Sequence, residues 1–132
     1  MLKIYVAGSS KELDRCERVI SLLREGGIEI THAWTLDVRA HGANVADDAI
    51  LLPALRADMV KGVGRAEKVL VLVGGEPMRG ALVELGGAFL TGVELHIAGD
   101  TSKEPWARAL GQRFHATDDD AVRVLIESSR RW

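Results

Sequence analysis

The chain has 132 residues, 47% hydrophobic and 27% charged, with a formal net charge of −2; this is the size and balance of one globular domain with a real core, not a disordered chain. Acidic and basic residues are scattered with no basic stripe, which argues against a nucleic-acid polymer as partner. No stretch approaches the ~20 apolar residues of a membrane span, and the apolar opening MLKIYVAGSS is too short for a signal peptide.

In chain order, Lys3–Ala7 reads as a strand and is followed by the small-residue turn GSS. Residues 12–25 carry apolar side chains at 13, 16, 19, 20, 22 and 23, a one-faced helix that Gly26-Gly27 ends. Cys16 lies on that face with Leu13, Ile20 and Leu23. It is the only cysteine, so no internal disulfide can form; it reads as a core residue in a reducing cytoplasm. Residues 28–34 read as a second strand and the polar, glycine-containing residues 37–44 as a loop. A helix is predicted over 46–65, with Pro53 starting, kinking or dividing it.

Lys68–Val73, KVLVLV, is the clearest buried strand and leads into the turn GGEPMRG. Residues 81–91 then read as a helix with Leu82, Leu85, Ala88 and Phe89 inward, closed by Gly92. A strand over 93–98 follows, then a polar excursion with one helical turn at 106–110. A short edge strand is expected at 113–116, and Thr117 caps a last helix running to about Ser128.

Strands that are apolar along their length and alternate with helices imply a parallel sheet covered on both faces. The whole chain, 1–132, is therefore expected to form a single α/β domain, a flavodoxin-like or Rossmann-like three-layer sandwich. The economical strand order is 2-1-3-4-5, and ligands bind such sheets at the switch point outside strands 1 and 3. Two segments converge there: Gly8-Ser9-Ser10-Lys11 and the stretch from Gly74 to Glu84.

Glu84 is the foremost candidate. It is expected in the first turn of its helix, where the helix dipole favours the ionised carboxylate, with Gly80, Gly86 and Gly87 clearing space around it. Each glycine inside a helix costs about 1 kcal/mol of propensity, so either a ligand or close helix–sheet packing must need the room. The loop after strand 1 offers backbone N–H groups, the Ser9 and Ser10 hydroxyls and Lys11 to a phosphate or to sugar hydroxyls, or else it simply caps the next helix. Asp58 and Glu76 are further acids that reach the same edge or lie on the surface. Gly75 opens the turn before Glu84, and Tyr5 reaches the pocket floor if strand alternation turns it that way. The four histidines, at 32, 41, 96 and 115, show no metal-ligand spacing, so neither a metal nor another cofactor is expected.

Several of these stretches together resemble the nucleoside 2-deoxyribosyltransferase family: KIYVAGSS, ADMVKGVGRAEKVLVLV, and ELGGAFLTG followed by VELHIAG. Glu84, Gly86, Ala88 and Gly92 fall on the family's E-x-G-x-A-x-x-x-G helix, which carries its nucleophilic glutamate. Gly80 matches a glycine common just upstream, and Asp58 matches an aspartate that precedes the family's third strand. The turn departs from the pattern, with Met78 and Arg79 where an aspartate is usual; Glu76 substitutes as the acid, or Arg79 binds phosphate.

The resemblance implies N-glycosidic cleavage of nucleosides, deoxynucleosides or their 5′-monophosphates through a glutamyl-sugar intermediate, with transfer to a second base or to water. It also implies a homo-oligomer, for which the tail ending in Trp132 is one candidate contact. The competing readings are a non-catalytic nucleotide-binding or regulatory module on the same fold, favoured by the altered turn, and a plain interaction protein.

Overall fold

The computed structural model describes residues 1–42, 51–76 and 78–131. Five strands, β1 (Lys3–Ala7), β2 (Glu29–Ile30), β3 (Lys68–Val73), β4 (Glu94–Gly99) and β5 (Arg113–His115), form one all-parallel sheet in the order β2-β1-β3-β4-β5. Among the described residues six α-helices connect and cover it: α1 (Leu13–Glu25), α2 (Trp34–His41), α3 (Leu51–Arg65), α4 (Arg79–Thr91), α5 (Pro105–Leu110) and α6 (Asp118–Ser129). Helix α1 pairs with α6, while α3 packs on α4 and α4 on α5, giving the expected three layers.

The central strands explain themselves. Ile4 to Ala7 and Val69 to Val73 are buried, as are Leu95, Ile97 and Ala98, because both faces of a parallel sheet lie under helices. The edge strand β5 is short and exposes Arg113 and Phe114. Cys16, Val19, Ile20 and Leu23 form the buried stripe of α1, as their spacing requires, and burial pushes the Cys16 thiol up to about 12. Thr117 caps α6 through its hydroxyl, which accepts from the Asp120 amide at 3.1 Å. Among the described residues no helix is long and apolar enough to cross a membrane.

Three expectations are corrected. The strand predicted over 28–34 pairs with β1 only through Glu29 and Ile30. Beyond it, the Thr31 hydroxyl donates to the Gly62 carbonyl at 2.7 Å, and the Trp34 indole donates to the Val6 carbonyl at 2.7 Å, so a side chain supplies what a longer strand would have. Trp34 then opens α2, so residues 37–41 of the predicted loop are helical. This helix is held by buried Trp34, Thr35 and Val38 and by Arg39, whose guanidinium pairs with Glu17 and Asp14 of α1. Finally, Phe89 is half exposed, and the inward face of α4 is made by Ala81, Leu85 and Ala88. Residues 43–50, which include the predicted helix start, and Trp132 lie outside the described residues.

The carboxyl edge of the sheet is partly closed by Arg15 of α1. Its guanidinium donates to both carboxylate oxygens of Asp118 at 2.7 Å, to Glu12 at 3.0 Å, and to the Val73 and Ala98 carbonyls that end β3 and β4. Gly99 permits this closure: its φ is +110°, and a Cβ there would overlap the Val73 carbonyl oxygen. Arg15 thus occupies the β3/β4 end, beside the β1/β3 switch point at which sheets of this order bind ligands.

Because Arg15 and Asp118 are both mostly buried, removing one partner strands the other. Asp118→Ala is expected to cost about 2 kcal/mol in denaturant unfolding, and Asp119→Ala, which breaks the exposed pair with Arg18, less than about 1 kcal/mol. Equal losses from the two variants would show that the Arg15 closure contributes no more than a surface ion pair.

Candidate functional site

Glu84 is the sixth residue of α4, which begins at Arg79. It therefore lies in the second turn, not the expected first, where the helix dipole has largely faded. Its side chain is only 6% exposed. Burial raises its carboxyl to about 7; the Tyr5 hydroxyl and the Arg56 guanidinium oppose that rise without cancelling it. The expected fully ionised carboxylate is thus corrected to one that titrates near neutrality, because desolvation outweighs its partners.

Tyr5, at the middle of β1, is 0% exposed. Its ring lies against Gly62 of α3 and the His32 Cβ; a side chain at Gly62 would enter that contact, 2.7 Å from His32 and 3.0 Å from the ring. Among the described residues the Tyr5 hydroxyl is the one buried side-chain polar atom with no hydrogen bond of standard geometry. It nonetheless faces Glu84 closely enough that each group perturbs the other's titration, and burial together with that carboxylate drives the phenol far above its ordinary value. A polar atom enclosed in this way costs stability unless something meets it, and Glu84 is the group it faces.

Arg56 of α3 approaches from the other side, its Nη1 3.8 Å from Glu84 Oε1 and 3.6 Å from Met59 Sδ. The guanidinium overlies Gly80, one turn before Glu84 on the same face of α4, where a Cβ would lie 2.6 Å from Nη2 and 2.8 Å from Cζ. Gly80 therefore makes room for Arg56. Gly86 and Gly87 have nothing within 4 Å of a Cβ position, so close helix–sheet packing does not account for either.

The remaining sequence candidates are spread along the rim. Gly8 is a packing glycine, since a Cβ there would sit 2.7 Å from Cys16 Sγ. Ser9 is buried and caps the 3₁₀ turn Ser10–Glu12 by accepting from the Lys11 amide at 3.2 Å, whereas Ser10 and Lys11 face solvent. Gly75 and Glu76 are exposed on the turn after β3; Arg79 opens α4, and its side chain lies outside the described residues.

Asp58 is exposed and lines a groove of about 460 Å³ with His32, Lys61 and Arg65. It stands one turn from Gly62, on the Tyr5 side of α3, and Glu84 meets Arg56 instead. Residues two apart on a helix point in opposite directions, so Arg56 and Asp58 take opposite flanks of α3. The structure thus brings together Tyr5, Glu84 and Arg56, and places Asp58 in the groove with His32, Lys61 and Arg65.

Sequence reading missed Arg56, and also the His32–Asp37 pair beside Tyr5, whose Nε2 and Oδ2 are 2.9 Å apart. The available signal for Arg56 was Gly80, a helical glycine one turn before an acid. Among the described residues no group of three or more His, Cys, Asp or Glu side chains is placed to hold a metal ion.

No family model matches the sequence, and no curated protein does. A solved structure, the CMP N-glycosidase BcmB of Clostridium botulinum, is similar to this chain with a TM-score of 0.57 and 14% identity. The match covers 93% of this chain and 96% of that one. The fold is shared.

The raised Glu84 carboxyl makes stability depend on pH in a definite direction. In the unfolded chain Glu84 loses its proton near 4.5, while in the folded chain it keeps the proton to about 7. The folded state therefore binds more protons across that window, so stability is full below it and falls as pH rises through it, by roughly 3 kcal/mol in all. Glu84→Gln is expected to remove this loss, gaining on the parent chain by roughly 2–3 kcal/mol between pH 4.5 and 8 in denaturant unfolding. Parallel stability–pH curves for the two proteins would contradict a buried, raised carboxyl.

Proposed function

We propose that this chain is an N-glycosidase or base transferase acting on nucleosides, deoxynucleosides or their 5′-monophosphates, with Glu84 as nucleophile. The observation that carries this reading is a buried carboxylate facing the buried Tyr5 phenol at the β1/β3 switch point. The fold shared with a CMP N-glycosidase supports the substrate class.

In the first half-reaction a Glu84 oxygen attacks the anomeric carbon; the C1′–Oε bond forms as the C1′–N bond breaks through an oxocarbenium-like transition state. The base leaves with the bonding electron pair and takes a proton from Asp58, from Glu76, or from water. In the second half-reaction water or another base adds to C1′, the ester bond breaks, and Glu84 recovers its electron pair; the incoming water or base gives up its proton to the same groups or to solvent. The Tyr5 hydroxyl meets the sugar. Ser9, Ser10 and Lys11, with the glycines Gly8, Gly75 and Gly80 and the side chain of Arg79, form the surroundings proposed for the sugar and its phosphate.

Self-association belongs to this reading. Val83 and Leu90 on the outer face of α4 are 68% and 85% exposed, and Gly86 and Gly87 between them leave that face low, a surface suited to a second copy. Light scattering is expected to give at least twice the chain mass, with Leu90→Asp reverting to a single chain; a monomeric parent at working concentration would remove this part.

The central test incubates the protein with purine and pyrimidine nucleosides and deoxynucleosides, each with and without 5′-phosphate, in the presence and absence of a free acceptor base. Base release or exchange is expected, with kcat rising with pH through about 7 as Glu84 ionises. Glu84→Ala should lose about 10³-fold or more. Intact mass of quenched reactions should show a sugar adduct that Glu84→Ala lacks. Tight nucleotide binding with no turnover of any substrate would replace the enzyme with a binding module.

A further inference from the structure

We infer that Arg56 is the positioning residue for Glu84: its guanidinium, admitted over the start of α4 by the bare backbone at Gly80, favours the charged form of the buried carboxylate and holds it in place. The inference rests on the reading of Glu84 as nucleophile for its catalytic meaning, but the electrostatic claim stands on geometry alone.

Nη1 lies 3.8 Å from Oε1, near enough for attraction to the buried carboxylate and beyond hydrogen-bond length. Arg56 therefore favours the anion without tying down an oxygen lone pair that must attack carbon. Its approach is specified by a notch, since any side chain at position 80 would enter the space of the guanidinium. It is also held by Met59, whose Sδ accepts from Nη1 at 3.6 Å. The head group is part exposed, so it can follow the carboxylate when the ester forms and meet it again when the ester breaks.

The groups that bear on Glu84 come from separate elements. Tyr5 of β1 and Arg56 of α3 act on it directly, and Asp37 of α2 acts on Tyr5. Among the described residues Arg56 is the one cation within salt-bridge distance of Glu84. Tyr5 can donate one proton but carries no positive charge, so only Arg56 offsets the carboxylate's charge.

The test reads Glu84 itself, not turnover. Carbon-13 NMR of chain labelled at glutamate Cδ, with the Glu84 resonance assigned by its loss in Glu84→Gln, follows the carboxyl through a pH titration. Arg56→Gln is expected to raise the Glu84 midpoint by about one pH unit or more, and Arg56→Lys to restore part of the shift. Gly80→Ala, which leaves every charge in place and only displaces the guanidinium, is expected to raise the midpoint in the same direction. Circular dichroism on each variant identifies those that keep the fold, and Arg56→Lys and Gly80→Ala serve if Arg56→Gln does not.

In enzyme assays the kcat–pH midpoint should move with the NMR midpoint while KM changes little. A Glu84 midpoint unchanged in folded Arg56 and Gly80 variants overturns the inference. A midpoint that moves in a protein with no glycosidase or transferase activity upholds the electrostatic role of Arg56 and fails the proposed reaction instead.

Discussion

Removing a carboxylate from water costs several kcal/mol unless the group is paired, hydrogen-bonded or protonated, and the region between β1, α3 and α4 is organised around that cost at Glu84. Position in the helix gives little relief, because the second turn lies beyond the useful reach of the dipole. Relief comes from a phenol on the neighbouring strand and a guanidinium on the neighbouring helix, and it is incomplete. The group is therefore held near the boundary between acid and anion. Under the proposed reaction this has a direct use: a glutamyl ester is uncharged, so a site that penalises the free anion lowers the energy of the covalent intermediate relative to the resting enzyme.

The placement of this residue follows from the sheet. A parallel order with a reversal between β1 and β3 splays the helices that follow those two strands and leaves a crevice at their carboxyl ends. Arg15 fills the corresponding space at β3 and β4 by bonding the carbonyls that end them. One end of the sheet is thus committed to structure. Small residues do different work in the two places: Gly99 lets two strand ends come together, while Gly80 lets a charged side chain cross a helix.

Much of this was legible in the sequence. The periodicities located β1 and β3 to the residue, the alternation of elements predicted the strand order, and Glu84 stood out by its neighbours. Two kinds of feature were not legible. The end of β2 is decided by long-range bonds from Thr31 and Trp34, whose partners at Gly62 and Val6 no local window contains. The charge state of Glu84 is decided by burial, and local reasoning saw only its helix. Likewise Arg56 and Asp58 are two residues apart in one helix, and only packing says which of them meets the acid.

The closure by Arg15 has a consequence for the order in which the domain assembles. Its two best hydrogen bonds reach a residue 103 positions later, at the start of α6. Until Asp118 has left the ribosome, this arginine lies over the ends of β3 and β4 with Glu12 as its nearest carboxylate, and α1 has no neighbour on its own layer of the sheet. A nascent chain stopped before α6 would carry an exposed seam along α1 together with an under-compensated charge, the state a chaperone or a protease recognises. Locking of the β3/β4 end is thereby deferred until α6 has been synthesised and docks.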